Sequence, residues 1–316
     1  MPWWWPRSSL WCSATGTIRP NCADAVERVH AIGVDAAACV RCGRCVGVCP
    51  SAIFVQERPG GAVSLHGAER CIACGHCAAA CPTGAVSHEA FPTERLRPLD
   101  RAALPSPEAL EQLLAARRSM RCFTRQEVPD ELLRRIVAAA DRAPTASNAR
   151  ALAYVVVTDR AVLRRVVEFT LGVFARLVRL LSAAPVRWLV RPLAPGIYRY
   201  VSVFERMRRE WETEGTDRIL RGATALLAIH APTGSRFGAE DANLACQNAS
   251  LMAEALGVGQ VYAGFVLTAA RQHPGRLERL LGLAPDRRVR ALLALGMPAF
   301  RYPRSIDRTP AEVRRI

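Results

Sequence analysis

Nowhere does the chain offer the run of about 18 uninterrupted apolar residues that a bilayer-crossing helix requires. The nearest approach, 171–190, is broken by Arg176, Arg179 and Arg187. The opening Met-Pro-Trp3-Trp4-Trp5-Pro-Arg has no basic start followed by an apolar core and a small-residue cleavage site, so a signal peptide is not expected and the expected location is cytoplasmic. No Gly-x-Gly-x-x-Gly opens a helix, which argues against a Rossmann nucleotide site. The arginines are dispersed, without an arginine block or a nucleic-acid-binding signature, so nucleic acid is not an expected partner. Disorder is excluded by composition, half the 316 residues being hydrophobic and only 22% charged.

Cysteine, by contrast, is plentiful and clustered: eight of twelve lie between positions 39 and 81. A secreted disulfide scaffold would be smaller and evenly stapled, so the clustering points to ligation in a reducing compartment. Cys39-x2-Cys42-x2-Cys45-x3-Cys49-Pro50 is echoed by Cys71-x2-Cys74-x2-Cys77-x3-Cys81-Pro82, and Gly43 and Gly75 occupy matching places. This is an internal duplication. Three thiolates at x2 spacing wrap one side of a cube, and in two-cluster ferredoxins the fourth cysteine of each run serves the other cluster. Two 4Fe-4S clusters are therefore expected, one on Cys39, Cys42, Cys45 and Cys81, the other on Cys71, Cys74, Cys77 and Cys49. Zinc knuckles, the competing reading, favour paired two-cysteine knuckles over four thiols in a row. The segment resembles bacterial two-cluster ferredoxins over its whole length. Cys12, Cys22, Cys122 and Cys246 stand outside the runs and are expected to carry no chemistry, with Cys246 and Cys122 in the core.

The formal charge of +15 is unevenly placed: residues 1–29 carry +1 and residues 30–95 carry zero, leaving +14 beyond them. Each oxidised cube with four thiolates adds about −2, so the loaded cysteine-rich segment becomes acidic. An acidic electron-transfer module thus precedes a basic one suited to an anionic ligand.

The patterning divides the chain into four segments. Residues 1–29 show no periodicity and read as an extension, expected to be disordered; 30–95 is the ferredoxin-like domain; 96–107 is a proline-stiffened linker; 108–316 is an α/β-patterned domain. In the last, Ser106 and Pro107 open a helix, a second starts at Pro129, and 241–256 is a helix closed by Gly257. Strands are expected at 151–158, 223–231, 260–266 and 288–295. Residues 165–215 form a variable cap rich in aromatics (Phe174, Trp188, Tyr198, Tyr200, Phe204, Trp211) and arginines (Arg176, Arg179, Arg187, Arg191). Such a cap can close over a cofactor or simply be an amphipathic cover.

Arg117-Arg118-Ser119-Met120-Arg121 suits a phosphate and the electron-rich edge of a ring, although a double arginine ending a helix is commonly a solvated cap. The order of the segments C-terminal to it is more specific: Ala143-Pro144-Thr145-Ala146-Ser147-Asn148, Asp241 through Asn248, Ala255 through Gly259, Tyr262-Ala263-Gly264-Phe265, and Ala294 through Pro298. Together these resemble the FMN-dependent nitroreductase family, in the branch fused to an N-terminal ferredoxin, which Arg218 through Ala223 and the tail from Phe300 to Pro310 also fit. The resemblance implies an α+β fold, with a small two-cluster ferredoxin-like domain followed by a mixed sheet surrounded by helices, assembled as a homodimer. It implies that Arg117, Arg118, Ser119 and Arg121 hold the FMN phosphate, ribityl chain and ring edge, and that Pro144, Thr145, Ala146 and Asn148 reach flavin from the partner subunit. Tyr262, Ala263 and Gly264 would run past the reactive ring edge, and Arg308 would reach the phosphate. The chain departs from the family pattern at Arg150-Ala151-Leu152, at Thr224 and at Ile306.

The activity so implied is that of an FMN-dependent oxidoreductase. Electrons from reduced ferredoxin or a similar low-potential donor would pass through both clusters to FMN and on to a small organic acceptor of nitroaromatic, quinone or activated-alkene type. The cofactor performs that chemistry, so no side chain is expected to be catalytic. Two alternatives stand beside it. An electron-relay protein without its own substrate would expose a flat flavin edge, and a reductase docked by 165–215 on a membrane surface would float with liposomes.

Overall fold

A computed structural model of the protein describes residues 29–316, so the extension expected to be disordered, with Cys12 and Cys22, lies outside the described residues apart from Val29. The described chain forms two compact units that divide between Arg101 and Ala102.

In the first unit, β1 (Ile32–Val34) pairs antiparallel with β4 (Val86–His88), and β2 (Phe54–Gln56) with β3 (Val63–Leu65). Two five-residue helices, α1 (Arg44–Val48) and α2 (His76–Ala80), start inside the two cysteine runs. Each opens at a glycine in the left-handed region, Gly43 at φ 71° and Gly75 at φ 74°. The positive φ disfavours any side chain there, and a Cβ would also crowd its surroundings, 2.8 Å from Gln56 Oε1 at Gly43 and 3.1 Å from the Phe91 ring at Gly75. The duplication extends to backbone conformation, since Arg41 and Ala73, 32 positions apart, both adopt positive φ, as do Ala52 and Gly84. The core is small, built on Ile53, Phe54, Cys45, Cys77, Ala78 and Val86. A unit of this size buries little apolar area, so bound clusters contribute much of its stability.

The second unit opens with α3 (Pro107–Ala116), where Ser106 Oγ accepts from Ala109 N–H at 3.2 Å and proline occupies the first turn, as the sequence leads one to expect. α4 (Asp130–Ala140) follows Pro129 and buries Leu133, Ile136 and Ala140. The sheet comprises β5 (Ala153–Val157), β6 (Ala225–Pro232), β7 (Gly259–Tyr262) and β8 (Arg287–Gly296) in the order β5-β6-β8-β7. These strands pair antiparallel throughout, and the parallel component comes from a bridge between Ser119 and Gln260 at the β7 edge. Both faces are covered, which explains why β6 is apolar throughout apart from His230. Leu226 and Ala228 face one layer, while Ala225, Leu227 and Ile229 face the other.

Along β8 the same alternation reverses. Ala291, Leu293 and Leu295 share a face, yet Val289 belongs to the opposite one, because the register with β6 shifts between Ile229 and His230 and leaves Arg290 as the extra residue. One face carries α4 and α8 (Gly238–Ala255), the latter closed by Gly257 at φ 72°. The other carries α5 (Arg160–Ser182), α7 (Pro195–Glu214), α9 (Gly264–Gln272) and α10 (Arg276–Leu280), with α6 (Ala184–Leu193) packed on α5 and α7.

Two expectations need correction. The strand expected at 260–266 ends at Tyr262, because Gly264 starts α9 and the chain turns at Ala263. Cys122, expected in the core, is exposed; Met120, two residues earlier, is the one buried, at 6%. The cap expected at 165–215 is three helices, and position 165 lies inside α5, whose N-terminus is fixed earlier by Asp159 accepting from Ala161 and Val162.

Candidate cluster and flavin sites

The eight thiols of the first unit sort into two fours. One cavity is lined by Cys39, Cys42, Cys45 and Cys81, the other by Cys49, Cys71, Cys74 and Cys77. Each therefore combines three thiols of one run with the last of the other, the crossed arrangement expected from the spacing. Charge coupling repeats the crossing for Cys49, which acts on Cys71 and Cys77, while Cys39 and Cys42 act on Cys45 within their own run. Burial raises the Cys45 and Cys71 thiols and pushes Cys77 up to about 11, so these groups ionise at neutral pH only against a bound cation. Cys81 goes the other way: burial would raise it, but N–H groups of Thr83, Val86 and Ala85 and the Thr83 hydroxyl lower it. Among the described residues no three Cys, His, Asp or Glu side chains converge tightly enough for a single metal ion.

In the second unit the basic segment lies along the sheet edge. Met120 N–H donates to Gln260 C=O at 2.8 Å, and the buried Gln260 amide donates to Arg118 C=O at 2.9 Å. On its far side, Thr124 N–H donates to Met297 C=O at 2.8 Å and Ala299 N–H to Cys122 C=O at 3.0 Å. Clamped between β7 and the chain after β8, the segment buries Met120 while Arg117, Arg118 and Ser119 stay half-buried and Arg121 exposed. A Cβ at Gly259 would meet Met120 at 2.9 Å, so glycine lets the segment approach.

Three residues without a strong sequence signal of their own join this region. Arg221, at φ 64°, is pushed below the usual arginine pKa by burial and then by the charges of Arg218 and Arg121. Glu254 is raised by burial, against the pull of Arg117 and Arg301. Arg301 lies against Gly257, where a Cβ would be 2.5 Å from its guanidinium. Such partners lie far apart in the chain; Arg221 and Arg301 had a local signal, their places in Arg218 through Ala223 and in the tail from Phe300 to Pro310, and Glu254 had none.

The Thr145 loop is anchored to α8 by Ala146 N–H donating to the buried Asp241 Oδ1 at 3.0 Å, and Arg150 N–H donates to Thr145 Oγ1 at 3.0 Å. Ser147, Asn148 and Arg150 all adopt positive φ, a strained run costing roughly 1 kcal/mol or more each. Tyr262 donates its hydroxyl to Asn243 Oδ1 at 3.1 Å. Asp241 and Asn243 are about 160° apart around α8, so the Thr145 loop and the Tyr262 hydroxyl bond to nearly opposite sides of that helix. Pro144 is exposed, Ala263 buried and Gly264 intermediate, and Arg308 is exposed in the irregular tail 301–316. His230 is structural: burial, then Arg287, push its pKa down to about 4, and Arg287 Nε donates to its Nδ1 at 2.9 Å.

A nitroreductase family model matches residues 97–297, and a 4Fe-4S dicluster domain model matches residues 31–82. A Thermus thermophilus protein described as NADH dehydrogenase is 31% identical over 206 residues, spanning 63% of this chain and 90% of its own. Solved structures that the chain matches include a nitroreductase with bound FMN from Bacteroides fragilis, at 18% identity and TM-score 0.49, covering 65% of this chain and 98% of that one. A BluB-like flavoprotein from Clostridium difficile matches at 20% identity and TM-score 0.49, covering 64% and 94%. The chain belongs to the nitroreductase family and carries a 4Fe-4S dicluster domain ahead of its nitroreductase domain.

Proposed function

We propose that this FMN-dependent oxidoreductase takes electrons from a low-potential donor such as reduced ferredoxin, through two 4Fe-4S clusters and FMN, to a small organic acceptor of nitroaromatic, quinone or activated-alkene type. The observation that carries the reading is the sorting of eight thiols into two crossed sets of four, in a chain whose larger unit is a nitroreductase. Bound flavin supplies two-electron chemistry and the cubes one-electron steps. The spectrum and metal content of anaerobically purified protein test this together: flavin with roughly eight irons per chain is expected. Stoichiometric zinc without iron rejects it.

The residues of this chain bind and orient. Arg117, Arg118 and Arg121, with the Ser119 hydroxyl, offer charge-assisted donors to a phosphate and to the electron-rich ring edge. The charge of Arg117 also acts on Glu254, so Arg117→Ala removes a phosphate contact and one counter-charge to that carboxylate. Such a loss costs about 1.5–3 kcal/mol, so a roughly ten- to hundred-fold weaker FMN dissociation constant is expected by flavin fluorescence titration. An unchanged constant removes Arg117 from the site.

The bonding of the Thr145 loop and the Tyr262 hydroxyl to nearly opposite sides of α8 supports a site shared across a homodimer, in which Pro144, Thr145, Ala146 and Asn148 of one subunit meet Tyr262, Ala263 and Gly264 of the other. Sedimentation of flavin-loaded protein is expected to give a dimer. A monomer holding flavin at full occupancy contradicts the shared site.

A second reading has its own observation. Trp188, Leu189 and Leu193 of α6 are 82%, 58% and 79% exposed, and between Glu168 and Glu205 the chain has five arginines and no acidic residue. Every one of the 43 basic residues is arginine, a side chain charged at any working pH. An arginine-flanked apolar helix of this kind suits the surface of an anionic membrane, although no helix among the described residues is long and apolar enough to cross one. Flotation with phosphatidylserine vesicles, lost in Trp188→Ala and in high salt, is the expected result under this reading. Failure to float at low salt rejects it.

A further inference from the structure

His88 is 3% exposed and lines the cavity of Cys49, Cys71, Cys74 and Cys77 without belonging to either cysteine run. Its ring is fixed from two sides, by Phe91 edge-on with centroids 5.1 Å apart and by His30 at 5.3 Å. Pairing of Ile32 with His88 holds its backbone in β4. The two ring nitrogens have different partners. Ala90 N–H donates to Nδ1 at 3.1 Å, so Nδ1 presents its lone pair and the ring proton sits on Nε2. Nε2 lies 3.4 Å from Cys71 Sγ and donates to it.

The duplication provides an internal comparison. The residue 32 positions before His88 is Gln56, at the matching end of β2, and the residue 32 before Cys71 is Cys39. Gln56 donates its amide to Arg41 C=O at 3.0 Å and Gly61 C=O at 2.8 Å. Both amide protons are thus committed to backbone, and Cys39 receives nothing from the position that gives Cys71 an N–H. The two halves match in cysteine spacing and turn glycines but differ here.

We propose that His88 is a positioning and potential-setting residue for the cube held by Cys49, Cys71, Cys74 and Cys77, through an Nε2–H hydrogen bond to the Cys71 thiolate. This inference rests on the two-cluster reading of the cysteines. A hydrogen bond to a cluster thiolate draws electron density from sulfur and favours the more negative, reduced cube, raising its reduction potential. His88 therefore adjusts one cube and leaves the other untouched, so the two need not accept electrons with equal ease.

Redox titration followed by electron paramagnetic resonance on anaerobically purified full-length protein tests this, with iron content measured in parallel. In His88→Phe, one of the two midpoint potentials is expected to fall while the other stays, and His88→Gln, which keeps an N–H donor, is expected to recover part of the shift. Full iron with both potentials unmoved in His88→Phe overturns the proposal. Should His88→Phe lose iron through misfolding, pulsed resonance on protein labelled with 15N-histidine decides. A coupling to the reduced cube that is present in the native chain and gone in His88→Gln supports it, and a coupling that survives in His88→Gln overturns it. The fit of the cysteines themselves is judged separately, since iron near eight per chain upholds the cluster reading whichever way the potentials move.

Discussion

Cys49→Ala is expected to leave roughly four of eight irons, and the surviving cube is the one on Cys39, Cys42, Cys45 and Cys81, although Cys49 belongs to the same sequence run as three of them. The reason is the grouping around the two cavities, where Cys49 stands with Cys71, Cys74 and Cys77. Double variants separate this from local pairing. If the fourth thiols cross, Cys49→Ala combined with Cys71→Ala removes nothing more than either alone, because both ligate the same cube. Combined with Cys39→Ala, the same change empties both. Local pairing predicts the reverse for each pair. Non-additivity of this kind marks residues acting as one unit, and iron and sulfide analysis with resonance spectra reads it directly. Loss of both cubes in the Cys49→Ala, Cys71→Ala protein, with flavin retained, would show that the runs close on themselves.

Much of this site was legible because iron–sulfur ligation writes itself into spacing: eight cysteines, two identical intervals and a proline after each run leave little freedom. The expected crossing came from the same pattern, and the duplication extends to the paired positive φ values at Arg41 and Ala73. His88 was not legible. A lone histidine seven residues after Cys81 carries no signal until the halves are superposed and Gln56 is seen to do something different with its donors.

In the larger unit, the capped helix at Ser106 and the buried strands were readable from local chemistry. The error at 260–266 had a physical source: Val261 through Val266 is mostly apolar without a turn residue other than Gly264, and α9 begins with no side-chain cap to announce it. Cys122 was misplaced because hydrophobicity alone does not say which of two nearby residues faces inward; edge pairing to Gln260 and Pro298 decides in favour of Met120. Glu254, which faces the charge of Arg117, was invisible for a simpler reason. Charge coupling between residues so far apart in the chain depends on the tertiary fold and leaves no local periodicity.

The electron source gives the other large effect. The resemblance implies that family members without a ferredoxin domain take hydride from a nicotinamide and need no iron, so the two cubes of this chain are expected to serve electron entry. Cubes of this type suit low-potential one-electron donors. Reduced ferredoxin, or dithionite acting through the cubes, is therefore expected to support acceptor reduction faster than NADPH. The decisive variant changes Cys42 and Cys74 to Ala together, removing one thiol from each cavity. The nitroreductase domain is a separate compact unit, so the variant is expected to keep its flavin while ferredoxin-driven turnover falls to the level of a no-enzyme control. Stopped-flow mixing under nitrogen measures flavin bleaching with each donor, and flavin content confirms that the larger unit is intact. If NADPH bleaches the flavin of the double variant as fast as that of the native chain, and turnover with NADPH equals the native ferredoxin-driven rate, electrons do not enter through the cubes. The relative from Thermus thermophilus described as NADH dehydrogenase makes NADH the necessary third arm of the same experiment. Rapid bleaching by NADH with both cubes broken would move the entry point to the flavin itself.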